Sequence, residues 1–248
     1  MTTILVTGAT GTLGRQVAER LRTGGADVRA LSRRSPSYAA DLRDGKGLDA
    51  AVDGADAIVH CATSPRGGDD RAAGHLIDAA KRAGVPHLVH ISIVGVDRVP
   101  LGYYTVKHRV ERMIEDSGIG ATIQRTTQFH DLVLSIVSGA ARLPVLPVPA
   151  GVSVQPVDSG EVADRLAALA LGAPAGRVPD LGGPEVREVS DLAGVYLRAT
   201  GRRRRVVPVP LAGKAYAGYR SGGHLSPEHA VGTVTFEEFL ARRHRRAG

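Results

Sequence analysis

Residues Ile4–Gly14 read ILVTGATGTLG: an apolar run stops at Thr7, and Gly8, Gly11 and Gly14 follow at three-residue intervals. A helical pattern begins at once, with Leu13, Val17 and Leu21 on one face. A strand–turn–helix joint of this kind suits phosphate. Glycine lets the backbone come close, and free N–H groups at the helix start point toward the anion. The context predicts a dinucleotide site contacted by Gly8, Thr10, Gly11, Thr12, Leu13 and Gly14.

The pattern continues outward from that joint. Further strands are expected at Val28–Leu31, Ala57–Cys61, His87–Ser92 and Ala121–Arg125. Helices are expected at Leu13–Thr23, Leu48–Val52, Ala72–Ala83 and Val106–Asp116. This alternation predicts an α/β fold, a Rossmann-type doubly wound parallel sheet. After Gln128 the rhythm loosens. Leu143–Pro149 reads as an extended surface loop and Val178–Gly182 as a short strand. Helices are expected at Val162–Leu171, Asp191–Ala199 and Phe236–Arg242, and an extended run at Val206–Val209. Residues 1–248 are read as one domain, with a small C-terminal substrate cap drawn mainly from 129–160 and 183–235.

The composition is ordinary for such a domain, with 43% hydrophobic and 23% charged residues. Tryptophan is absent and there are three Phe, so aliphatic side chains must fill the core. Cys61 is the single cysteine, which excludes an intrachain disulfide and fits a cytoplasmic location. MTTILVTG lacks the basic start and long apolar run of a secretory signal, and no stretch suits a membrane span. The net charge is +7, with arginines clustered at Arg202–Arg205 and at 242, 243, 245 and 246. No aromatics interleave these clusters to stack bases, so a solvated surface is expected rather than nucleic-acid binding. No cluster has zinc spacing, and no metal is expected. A homo-oligomer is compatible with the sequence, which does not set the subunit count.

The second strand ends in Ser32, Arg33 and Arg34 with no carboxylate, about twenty residues past the glycine loop. Arginine's planar fork suits a 2′-phosphate, which predicts NADP(H) as cofactor. Arg15 is a further phosphate candidate. Asp41 suits either the adenine amino group or the cap of the short helix, and Leu42 could pack on the ring. Ala62 and Thr63, at the carboxyl end of the third strand, should line the cofactor. Cys61 reads as a small buried apolar residue, and His60 and His90 as satisfied imidazoles at the core edge.

Tyr103-Tyr104-Thr105-Val106-Lys107 carries the expected chemistry. In a helix Tyr103 and Lys107 share one face. A neighbouring ammonium would lower the phenol pKa and could hold a ribose hydroxyl. Ser92 could bond a substrate carbonyl. Hydride would pass from a nicotinamide to a carbonyl carbon while Tyr103 protonates the oxygen. Tyr104 and His108 form a second pair at the same spacing, so either tyrosine could face the nicotinamide.

These strings resemble the short-chain dehydrogenase/reductase superfamily, in its atypical, NmrA-like NAD(P)-binding branch. The resemblance rests on Thr7–Gly14, Ser32–Arg34, Asp41–Leu42, Ala62–Thr63, Ser92, Tyr103/Lys107 and Thr122–Phe129. Gln155–Ala163 and Leu181–Glu185 extend it over nearly the whole chain. It implies that Thr127, Gln128 and Phe129 border the cofactor and a small-molecule substrate. Read from the residues themselves, Lys107 and Tyr104 are further cofactor- and substrate-side candidates, and His130, followed by Asp131, suggests either a relay or a residue that flanks the pocket or caps a helix. The resemblance departs at Ser92, which precedes Tyr103 by eleven positions, fewer than in family enzymes. The resulting expectation is an NADPH-dependent reductase of a carbonyl or quinone-like molecule. The alternatives are an NADP(H)-binding redox sensor of the NmrA type, or an epimerase or dehydratase that recycles its cofactor.

Overall fold

A computed structural model of the chain describes residues 1–32, 38, 40–64 and 67–247. In chain order the first elements are β1 (Thr3–Thr7), α1 (Thr12–Thr23), β2 (Asp27–Leu31), α2 (Leu48–Val52), β3 (Ala57–His60) and α3 (Asp69–Arg82). Then come β4 (His87–Ile93), α4 (Gly102–Glu115), β5 (Gly120–Thr126), α5 (His130–Ala140), β6 (Leu146–Pro149) and β7 (Ser153–Val154). The remainder are α6 (Ser159–Leu171), β8 (Gly176–Arg177), β9 (Arg187–Glu188), α7 (Val189–Thr200), β10 (Val206–Val209), α8 (Lys214–Arg220) and α9 (Phe236–Ala247). They form two compact units. The first comprises Met1–Ser92, Gly102–Arg125 and Gly160–Pro179; the second comprises Ile93–Leu101, Thr126–Ser159 and Asp180–Gly248. Among the described residues no helix is long and apolar enough to cross a membrane.

The first unit is built on a six-stranded parallel sheet in the order β2-β1-β3-β4-β5-β8, a Rossmann-like fold. Side chains alternate across a strand, so β1 serves both faces. Leu5 packs with Leu31, Ile58 and Leu88 against Leu48, Leu76, Val110 and Ile114 of α2, α3 and α4. Ile4 and Val6 are equally buried and point the other way. An Arg20–Asp164 ion pair joins α1 to α6. The left-handed Gly84 (φ 66°) ends α3, with Val85 N–H donating to Ala80 and Gly84 N–H to Lys81. Several helices start earlier than their apolar periodicity suggests: α3 at Asp69, α4 at Gly102 and α6 at Ser159. A first helical turn needs no apolar residue, so periodicity sees it late.

Two expectations for the later chain are corrected. The strand expected at Val178–Gly182 is β8 at Gly176–Arg177, parallel to β5. Val178 N–H still donates to Ile123, but Pro179 has no N–H with which to extend the ladder. Leu143–Pro149 is not merely a loop, because β6 pairs in parallel with β10. Leu146 and Ala150 N–H donate to Arg205 and Val209, which leaves Pro147 and Pro149 at positions whose nitrogens face away from the partner strand. In the second unit α7 packs against α5, α9, β6 and β10 around Val133, Leu146, Leu192, Tyr196, Phe236 and Phe239.

The first unit also buries a charge pair. Arg125 of β5 grips Glu111 of α4 with two bonds, Nε–Oε1 at 2.8 Å and Nη2–Oε2 at 2.6 Å. Both side chains are at most 5% exposed. Glu111→Gln should lower stability by about 3–5 kcal/mol, because an unpaired guanidinium stays buried. Chemical denaturation with an unchanged m-value would measure it.

Candidate functional site

The carboxyl ends of β1 and β3, where the strand order reverses, lie beside the glycine turn. Gly11 N–H donates to the Gly8 carbonyl at 2.9 Å and closes the turn. A Cβ on Gly14 would lie 2.3 Å from the Gly8 oxygen, and one on Gly8 would lie 2.9 Å from the Ala62 backbone. Gly8 also has φ 67°, a conformation that disfavours a side chain. α1 begins after Gly11 with no side-chain cap and no acidic residue in its first turn. Thr10, Gly11 and Thr12 are exposed, while Leu13 and Gly14 are buried. The helix start therefore keeps free donors for an anion. Thr7 Oγ1 accepts from Ala62 N–H at 3.2 Å and bonds His60 Nδ1 at 2.8 Å, which ties the two strand ends together.

The adenine-side candidates are only partly placed. Arg33 and Arg34 lie outside the described residues. Ser32 directly follows β2, with its carbonyl accepting from Ala40 N–H at 3.4 Å. Asp41 does not cap α2. Its Oδ1 accepts from Arg43 N–H at 3.0 Å, and α2 starts after the left-handed Gly47. Leu42 is half-buried against the core. Arg43, not singled out in the sequence, reaches the third strand's end by donating to Ser64 Oγ at 3.0 Å.

At the expected reacting end, Tyr103 and Lys107 both lie on α4. Tyr103 is half-buried, and its hydroxyl is 2.8 Å from Thr63 Oγ1. Tyr104 is 4% exposed, so of the two it is Tyr103 that offers a hydroxyl at this corner. The expected lowering of the phenol pKa by Lys107 is corrected. Burial pushes the Tyr103 pKa up, and the Asp69 charge adds to the rise. Lys107 is 3% exposed and, among the described residues, its ammonium has no hydrogen-bond partner. Burial pulls its pKa down, opposed by Asp69 first and then by Cys61 and Glu111. The Ser92 hydroxyl is likewise buried without a partner. Burial pushes the Cys61 thiol up to about 12, which suits an inert residue.

His60 and His90 stack at 5.2 Å between ring centres. The expectation that both are satisfied is only partly met at His90, whose ring nitrogens make no well-formed hydrogen bond among the described residues, although the His60 backbone beside the ring favours its charged form. Burial holds both rings neutral, His60 down to about 3, with the Lys107 charge adding to the effect.

The remaining candidates belong to the second unit. Thr127 Oγ1 accepts from Gly183 N–H at 3.2 Å. Gln128 donates to the His224 carbonyl and accepts from Gln155 N–H, both at 3.3 Å. Phe129 precedes α5 and bridges to Val157. His130 is corrected from a substrate contact to a core residue. Its Nε2 lies 2.9 Å from the Val234 carbonyl, and its ring stacks on Phe239. Sequence reading missed His224, fully buried with Nε2 on the Ser153 carbonyl at 2.9 Å, because no periodic pattern marks its segment. It also missed Asp69, which the expected helix start at Ala72 left in a loop. Among the described residues, no three His, Cys, Asp or Glu side chains gather as metal ligands.

This chain belongs to the NAD(P)H-binding family, whose sequence profile matches residues 8–133. It is 32% identical over 218 residues to the (4-alkanoyl-5-oxo-2,5-dihydrofuran-3-yl)methyl phosphate reductase of Streptomyces griseus, covering 82% of this chain and 75% of that protein. It is 29% identical over 219 residues to quinone oxidoreductase 2 of Escherichia coli, covering 81% of this chain and 75% of that protein. Among solved structures, the NADPH-dependent quinone oxidoreductase of Escherichia coli complexed with NADPH superposes with a TM-score of 0.85 at 22% identity, over 97% of this chain and 99% of that one. The residues present suit such a cofactor: the turn has no room for side chains, Lys107 is a buried residue, and the Ser92 hydroxyl is buried without a partner among the described residues.

Two outcomes are expected. Gly14→Ala forces a methyl group onto the Gly8 carbonyl and should cost about 1–3 kcal/mol of stability. It should also weaken NADPH binding about tenfold, read by calorimetry. The second concerns acid. Unfolded His60 ionises near 6.5 and folded His60 only near 3, so in that window the unfolded chain binds more protons. Stability is therefore full above pH 6.5 and falls toward pH 3, by about 1.4 kcal/mol per pH unit. His60→Gln should flatten the acid side of a stability–pH curve by about one proton.

Proposed function

We propose that this protein is an NADPH-dependent reductase of a small carbonyl or quinone-like molecule. The observation that carries this reading is the Lys107 side chain, 3% exposed and with no hydrogen bond to its ammonium among the described residues, one turn along α4 from Tyr103. A buried charge left unpaired is costly, and ribose hydroxyls are the acceptors that would satisfy it. When bound, the nicotinamide supplies a hydride to an electrophilic carbon. Tyr103, kept protonated at neutral pH, gives its proton to the oxygen that gains charge. Ser92 Oγ, lacking a partner, is available to hold the same oxygen in place. The glycine turn and the start of α1 hold the pyrophosphate.

The preference for NADPH over NADH rests on Arg33 and Arg34 and on the lack of a carboxylate at Ser32. The reductase names of the relatives support the reaction class. A second reading, an NADP(H)-binding sensor without turnover, draws on the phenol's raised pKa.

Steady-state oxidation of NADPH against a panel of quinones and ketones separates the two readings. Tyr103→Phe should lower kcat by about 10²–10⁴-fold while leaving the Kd for NADPH close to the parent value. Full turnover in that variant removes Tyr103 as the acid. Tight NADPH binding with no turnover on any panel member would favour the sensor.

A further inference from the structure

Three polar groups of the first unit form one chain. Asp69, 6% exposed, opens α3. Its Oδ1 accepts from Ser64 N–H at 2.8 Å, and its Oδ2 accepts from the Thr63 hydroxyl at 2.5 Å. The same Thr63 oxygen lies 2.8 Å from the Tyr103 hydroxyl.

A threonine hydroxyl has a single proton. A carboxylate that already accepts one backbone N–H at a helix N-terminus is a stronger acceptor than a phenol. Thr63 therefore gives its proton to Asp69 and must accept from Tyr103.

We propose that Asp69 is a positioning residue for Tyr103: through Thr63 it sets the polarity of the chain, so that the phenol is oriented as a donor and keeps its proton. The inference rests on the reading of Tyr103 as the proton donor, and it adds what prepares that donor. The phenol is held neutral until an oxygen that gains negative charge outcompetes Thr63 for the proton. The other titratable groups around Lys107 are His60 and Cys61 at the end of β3, His90 on β4 and Glu111 on α4. Among charged groups, it is Asp69 that bears on the phenol itself.

Asp69→Asn reverses the chain. Ser64 N–H and Thr63 meet different oxygens of Asp69, so with the amide oxygen kept on Ser64 N–H the amide N–H faces Thr63, and Thr63 donates to Tyr103. Donation to a phenolate stabilises it.

The experiment is an ultraviolet phenolate titration of the full chain, with each variant read against its Tyr103→Phe counterpart so that Tyr103 alone is seen. Asp69→Asn should raise the phenol's acid dissociation constant about tenfold. Thr63→Val should also raise it, because the neutral phenol loses its acceptor, and Thr63→Ser should leave it at the parent value. An unmoved titration in Asp69→Asn overturns the proposal. So does a lowered constant in Thr63→Val, which would mean that Thr63 donates to the phenol; this second variant leaves Asp69 and its bond to Ser64 intact. Turnover by Tyr103→Phe tests the underlying reading separately, since the titration needs no substrate.

Discussion

Around Gly8 the backbone passes itself too closely for side chains. Gly14 lies against the Gly8 carbonyl, and Gly8 lies against Ala62. That double approach joins the end of β1, the start of α1 and the end of β3 at one point. Because β1 sits between β2 and β3, this point is also where the chain winds outward in opposite directions and leaves a crevice. A methyl group at either glycine would separate these elements. The anion cradle is thus a consequence of packing as much as of free N–H groups.

α4 shows how the first unit handles buried charge. Glu111 and Arg125 satisfy each other with two parallel bonds, which fixes the helix against β5. One turn before Glu111, Lys107 is as deeply buried and has no such bond. The two cases differ in geometry rather than in burial. Fork-to-fork pairing satisfies both ions, whereas Lys107 feels the Asp69 and Glu111 charges without a hydrogen bond to either. Its surroundings are also apolar enough to keep His60 and His90 neutral. A point charge held in this way is poised to take an acceptor from outside the protein.

Much of the first unit is legible along the chain. The strand ends, α2 at Leu48–Val52 and the alternation that makes the sheet parallel all follow from short apolar runs between glycines. The second unit is less legible. α5 and α8 carry weak signals, and the prolines of β6 read as loop residues until β10 lies beside them. His130 illustrates the same difficulty. A histidine followed by an aspartate invites a chemical reading, but the aromatic neighbours that absorb it, Phe236 and Phe239, lie about a hundred residues away.

The glycine spacing, the apolar rhythm and the position of Tyr103 one turn from Lys107 were determined by the sequence alone, because they depend on contacts within a few residues. Only the tertiary structure decided which groups face them. It set Asp69 and Thr63, rather than Lys107, against the phenol, left the Ser92 hydroxyl without a partner among the described residues, and gave His130 to the core. These outcomes depend on distances across the fold. Electrostatic and hydrogen-bond energies follow those distances, and no local pattern encodes them.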